Sequence, residues 1–243
     1  AIAAITNNLR LLTSVMVLPH RNPVLTAKIL ATIDVLSKGR LNVGCGVGWM
    51  REEFEALAAP SFDERGAVGS EYIQIFKELW TKDDPVFEGN VASFSNISFL
   101  PKPVQTPYPP IWVGGESNPA LRRAVQLGDC WYPIGTNPKF PLDSAELLRK
   151  RIDRLHHYAE ANNRDPATID LAYSANWFNM GSQSQGNRTR WFEGESSQIQ
   201  EDIGQLMDLG VNHLILSFTG ESTSEITDNM SKFISEVATN IPK

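Results

Sequence analysis

The chain has 243 residues, is 42% hydrophobic and 21% charged, and carries a net charge of −6. That composition is globular and excludes a disordered, collagen-like or fibrous chain. Its mild acidity and lack of a basic block argue against a phosphate-tracking nucleic-acid surface, and no apolar run nears the roughly 20 residues needed to span a bilayer.

The opening, AIAAITNNLRLL, lacks Met and also lacks the basic region of a secretory signal peptide. Ala1–Ile5 reads as the end of a helix that began earlier, so a segment upstream is expected. Leu9–Val17, rich in Leu and Val, suits a strand buried on both faces. Asn22 and Pro23 announce a helix, with Val24, Ala27, Ala31 and Val35 at helical spacing and Gly39 at its end. Leu41–Cys45 is the next buried strand and runs into a glycine-rich loop, then a charged helical segment at Trp49–Ala59. Tyr72, Ile75, Phe76, Leu79 and Trp80 mark one face of a further helix. Asp83–Pro110 breaks this rhythm: Asp84-Pro85, Gly89-Asn90 and a cluster of prolines read as an excursion with a small hairpin.

The alternation then resumes. Strands are expected at Ile111–Gly114, Cys130–Ile134, Ile169–Asn176 and His213–Phe218. Helices are expected at Asn118–Leu127, Ser144–Asn162, Gln198–Leu209 and Glu225–Ile241, the last with Ile226, Met230, Phe233, Ile234, Val237 and Ile241 along one stripe. Ser182–Arg190 (SQSQGNRTR) is the most loop-like stretch and is expected to be mobile. Apolar strands alternating with amphipathic helices mean a parallel sheet covered by helices, either doubly wound or closed as a (β/α)8 barrel. Six strands after an unexplained start fit an α/β TIM barrel lacking its first two strands in this chain. No repeat or linker divides it, so residues 1–243 are expected to form one barrel domain with an excursion at about 83–110.

In either α/β fold, ligands bind at the carboxyl ends of the strands. After the second strand comes Gly44-Cys45-Gly46-Val47-Gly48-Trp49. It is neither a dinucleotide fingerprint nor a Walker loop; it reads as a tight turn or as a backbone that lets a phosphate approach. After the third comes Gly114-Gly115-Glu116-Ser117-Asn118-Pro119, where free N–H groups, a hydroxyl and a helix N-terminus make either an anion site or a plain cap. Small and polar Thr13 and Ser14 inside the first strand suit either a ligand packed against it or a layered barrel interior. Trp49, Trp112, Trp131, Tyr132 and Trp177 gather at strand ends, mostly as core or rim. His156, His157 and His213 lack metal-ligand spacing, and no metal site is expected. His20 either reaches the site or lies in a solvated loop, Glu52 and Glu53 form a helix face, and Arg65 reads as a structural ion-pair partner. Cys45 and Cys130 are too few for a disulfide framework or a four-ligand zinc site, so they read as buried, reduced thiols of a soluble cytoplasmic protein.

Taken together, TSVMVLPHRNPVLTAKILATIDVLSKGRLNVGCGVGWMREEF, PPIWVGGESNPALRRAVQLGD and GVNHLILSF resemble the luciferase-like monooxygenase superfamily. The likeness is closest to its deazaflavin branch, which uses coenzyme F420, and runs from Asn8 through nearly the whole chain. It implies a TIM barrel of the bacterial luciferase-like type and a homodimer. It also implies a non-prolyl cis peptide against the central ring of the cofactor, here between Ser14 and Val15. By the same resemblance, the cofactor phosphate sits between Val47-Gly48-Trp49 and Gly115-Glu116-Ser117. The Ser-Val pair is more like deazaflavin enzymes, whereas flavin-using luciferases tend to carry two small residues there. The implied activity is F420-dependent hydride transfer to or from a small organic substrate. The alternatives are an FMN-dependent monooxygenase using reduced flavin and oxygen, and a non-catalytic cofactor-binding paralogue. Family members begin with a strand, helix and strand that carry substrate-side polar residues. This sequence starts after them, and no catalytic acid or base is named.

Overall fold

The computed structural model describes residues 1–180 and 190–241; the polar stretch 182–189 lies outside the described residues. The chain falls into two compact parts, Ala1–Trp131 and Tyr132–Lys243.

The first part opens with a single helical turn, α1 (Ile2–Ile5), held by Arg40. The Arg40 guanidinium donates to the carbonyls of Ala3, Thr6, Leu9 and Ser37 and to the Thr6 hydroxyl. Strands β1 (Leu11–Leu12) and β2 (Met16–Val17) follow. In helix α2 (Pro23–Ser37) the Asn22 side chain accepts from Leu25 N at 3.0 Å and Pro23 sits in the first turn. Strand β3 (Leu41–Gly46) is buried through Cys45. A short helix, α3 (Arg51–Ala56), leads to α4 (Arg65–Thr81), whose Ile73, Ile75, Phe76 and Leu79 are fully buried. Trp80 closes the α2–α4 seam by donating its indole N–H to Ala27 O at 3.0 Å. The excursion contains the antiparallel hairpin β4 (Phe87–Glu88) and β5 (Ser93–Phe94). The Glu71 carboxyl accepts from Asn90, Val91 and Ala92 N–H groups at its turn. Then come β6 (Ile111–Gly114), α5 (Asn118–Leu127) and the start of β7 (Cys130–Tyr132). Strand β3 pairs in parallel with β1 and β2 on one side and with β6 on the other.

The second part begins within β7 and contains α6 (Ala145–Ala161), β8 (Asp170–Ala175), β9 (Asn179–Met180), β10 (Glu193–Gly194), α7 (Ser196–Asp208), β11 (His213–Leu216) and α8 (Thr223–Glu236). Strands β8 and β11 are parallel, with His213 opposite Ala172 and Leu216 opposite Ala175. Tyr173 anchors this core: its hydroxyl donates to Leu142 O at 2.6 Å, and its ring meets Trp177, Trp191 and Phe192. Burial raises its pKa well above the ordinary tyrosine value, with the charges of Asp143 and Asp202 adding to the shift.

All six expected strand positions are strands among the described residues, and the helices match within a few residues. Four expectations change. Leu9–Val17 is two short strands, because three residues between them leave the ladder. The helix expected at Trp49–Ala59 is confined to Arg51–Ala56. Helix α8 stops at Glu236, so Val237 and Ile241 of the expected stripe lie beyond it, on either side of a 3-10 turn at Ala238–Asn240. Arg65 opens α4 without an ion pair among the described residues: it donates to Phe62 O at 2.7 Å and stacks over the Phe62 ring. Both cysteines are buried free thiols, as expected. Burial pushes the Cys45 thiol up to about 12, against the opposing charge of Arg123. No described helix is long and apolar enough to cross a membrane, and no metal-ligating cluster of three or more His, Cys, Asp or Glu occurs among the described residues.

Candidate functional site

The site is built on the register of three strands in the first part. Leu12 lies opposite Asn42 and Met16 opposite Cys45. Three residues, Thr13, Ser14 and Val15, therefore face two, Val43 and Gly44: one residue is extra, and the chain bulges. The Ser14–Val15 peptide within the bulge is cis. The Thr13 hydroxyl donates to Gly44 O at 2.9 Å. Gly44 admits the bulge by having no side chain, since a Cβ there would lie 1.8 Å from Thr13 O. A Cβ on Gly46 would strike the Val15 side chain at 2.7 Å. Glycine at these alternate positions of β3 thus leaves room for the bulge to rest on the strand. Ser14 and Val15 are consequently exposed, Val15 to 40%, although valine is ordinarily buried.

Two loops leave the carboxyl ends of adjacent strands beside this bulge. Cys45 pairs with Val113, so Val47-Gly48-Trp49 and Gly115-Glu116-Ser117 emerge next to one another. Gly48 has φ 83° and Gly115 φ 110°, left-handed conformations that favour glycine. At Gly48 a side chain would also strike Phe54 at 2.7 Å. Val47 rests its side chain against Gly69 of α4, and Gly115 lies against Ala120 of α5. The Gly115 carbonyl accepts from the Trp131 indole at 2.9 Å. Ser117 caps α5 by accepting from Ala120 N at 3.4 Å. Helix α5 directs the positive end of its dipole toward the same loop. Two glycine loops, a helix N-terminus and an exposed valine thus lie together at the carboxyl ends of β3 and β6.

The structure thus brings Ser14, Val15, Val47, Gly48, Trp49, Gly115 and Ser117 to one end of neighbouring strands. Glu116 is in the same loop but is 3% exposed and engaged within the protein. Trp49 is 79% exposed, while Trp112, Trp131 and Tyr132 are core. His20 is half-buried rather than in a solvated loop: its ring packs edge-on against Phe54 at 4.5 Å, and its Nε2 is buried without a partner among the described residues. Glu52 and Glu53 lie exposed on a helix face, as expected. Residue-type reasoning misses Arg123 and the small residues Gly66, Gly69 and Ser70 of α4. The Gly-x-x-Gly-Ser spacing at the start of α4, facing the Arg-Arg pair of α5, is the signal that could have found them.

Comparison with known proteins agrees with this geometry. The profile of the luciferase-like monooxygenase family matches residues 1–182. The FMNH2-dependent dimethylsulfone monooxygenase of Pseudomonas putida is 35% identical over 164 residues, which are 67% of this chain and 43% of that protein. The chain therefore spans less than half the length of that curated relative. Monooxygenase RslO1 from Streptomyces bottropensis superposes with TM-score 0.82 at 22% identity, covering 98% of this chain and 80% of that one. The coenzyme F420-dependent tetrahydromethanopterin reductase from Methanopyrus kandleri superposes with TM-score 0.79 at 15% identity, covering 99% and 85%. These likenesses establish an α/β fold of the luciferase-like TIM-barrel type.

Proposed function

This chain belongs to the luciferase-like monooxygenase family, and from that premise we propose that it acts as an F420-dependent oxidoreductase on a small organic substrate. The observation that carries the reading is the one-residue bulge that sets Val15 in the open beside two glycine loops. In this reading Val15 backs one face of the deazaflavin ring and leaves the other face to the substrate. The N–H groups of the Val47–Trp49 and Gly115–Ser117 loops, with the α5 dipole, hold the phosphate. Trp49 shields the ring edge from water. When bound, the cofactor supplies the hydride-exchanging carbon; the chain supplies orientation and electrostatics.

The choice of a deazaflavin over a flavin rests on the Ser14–Val15 pair, which resembles that of deazaflavin enzymes. A second reading, a monooxygenase using reduced FMN and oxygen, is favoured by the 35% identity to an FMNH2-dependent enzyme. Fluorescence titration with F420 and with FMN separates them. The expected result is quenching of deazaflavin fluorescence at micromolar protein, with much weaker binding of FMN. FMN binding without a deazaflavin response moves the assignment to the second reading, and no response to either contradicts both. Binding with no turnover across a substrate panel would mark a non-catalytic paralogue.

A further inference from the structure

Arg123 lies six residues into α5 and is buried, yet it pairs with no acid among the described residues. Its Nε donates to Ser70 Oγ at 2.9 Å and its Nη2 to Gly66 O at 2.7 Å, both on the first turns of α4. Neither Arg123 nor its cationic neighbour Arg65 is in an ion pair among the described residues. Burial lowers the Arg123 pKa from its ordinary value, Cys45 opposes that shift, and the Arg65 charge adds to it. A buried guanidinium held by two neutral oxygens contributes little as a charge pair and more as a two-pronged strut. Each end of the strut bears on one loop of the candidate site. On α4, Gly69 is the surface against which Val47 rests; on α5, Ala120 is the surface against which Gly115 rests. The approach at Gly66 is close as well, since a Cβ there would come within 3.0 Å of the guanidinium.

We infer that Arg123 is a positioning residue: by joining α5 to Ser70 and Gly66 of α4 it sets the spacing of the 47–49 and 115–117 loops, and with it the affinity for a cofactor's phosphate. The inference rests on the cofactor reading above. A lysine keeps the charge but cannot reach both oxygens with a fixed fork, so charge and geometry can be told apart.

The test compares the wild-type chain with R123M, R123K and S70A. Each is titrated with F420 and its phosphate-free core, and with FMN and riboflavin, and hydrogen exchange of the unliganded proteins is followed. R123M and R123K should both weaken the phosphate-bearing ligand about tenfold to a hundredfold. Affinity for the phosphate-free ring should stay within about twofold of the wild type. S70A, which removes one prong, should do so by less. Amides of 46–49 and 114–117 should exchange faster together in R123M. Full rescue by R123K, or equal losses for ligands with and without phosphate, would overturn the inference. If the wild type binds none of the four ligands, the cofactor reading falls; unchanged exchange in R123M would overturn the strut itself.

Discussion

Gly44→Ala is expected to destabilise the protein by about 3 kcal/mol or more, at the upper end of overpacking costs. The added methyl carbon would sit 1.8 Å from Thr13 O, a backbone atom that cannot rotate away. The Thr13–Val15 bulge must then lift off β3 or β3 must shift, and the Thr13 hydroxyl loses its bond to Gly44 O. For a chain of this length, about 3 kcal/mol corresponds to a fall in Tm of roughly 6–12 °C. Because the bulge presents Val15, cofactor binding should fall with stability. Gly204→Ala provides the contrast in the same melting experiment. It lies within α7 with nothing inside 4 Å of its would-be Cβ. There the methyl should stabilise by roughly 0.5–1 kcal/mol through helix propensity alone. A Gly44→Ala protein as stable as wild type would mean that the bulge does not rest on β3 as described.

Asp34→Ala should carry the other large loss, about 3–5 kcal/mol, and should leave the site geometry intact. Asp34 is fully buried in α2. Its Oδ2 accepts from Val104 N at 2.9 Å and Gln105 N at 3.0 Å, and its Oδ1 accepts from Gln105 Nε2 at 2.7 Å. Gln105 passes the same amide on to Leu41 O at 2.7 Å. One carboxyl thus fastens the end of the excursion to both α2 and the start of β3. Alanine would orphan three donors, and each costs roughly 1–3 kcal/mol when unmet. The urea midpoint should drop accordingly, and Asp34→Asn should fall in between, because its amide keeps one acceptor but turns a donor toward donors. An unchanged midpoint would show that the excursion is not held through Asp34.

Elements whose signals are local were legible in the sequence. Asn22-Pro23 starts α2 and Ser144 caps α6, because capping and proline geometry act within four residues. The buried strands Leu41–Cys45 and Ile111–Gly114 showed themselves as short apolar runs ahead of glycine loops. The bulge was different. Thr13 and Ser14 sit in a row of Leu, Val and Met that reads as one strand, and the extra residue exists only relative to Asn42–Cys45 on another strand. It was legible through family resemblance rather than through periodicity. The two glycine loops could be read as turns or as anion sites, and only the pairing of Cys45 with Val113 brings them side by side. Arg65 misled and Arg123 was missed for one physical reason. Charged side chains are ordinarily buried only with opposite charges, whereas here an aromatic ring serves one and two neutral oxygens serve the other.

The central claim is that the Val15 bulge and the two glycine loops form one cofactor site. Hydrogen exchange measured with and without saturating F420, and again with FMN, tests it most directly. The expected result is joint protection of segments 13–17, 46–49 and 114–117 by whichever cofactor binds, with the rest of the first part unchanged. Binding accompanied by protection that spares the 13–17 segment, or that falls on other segments alone, would contradict the account.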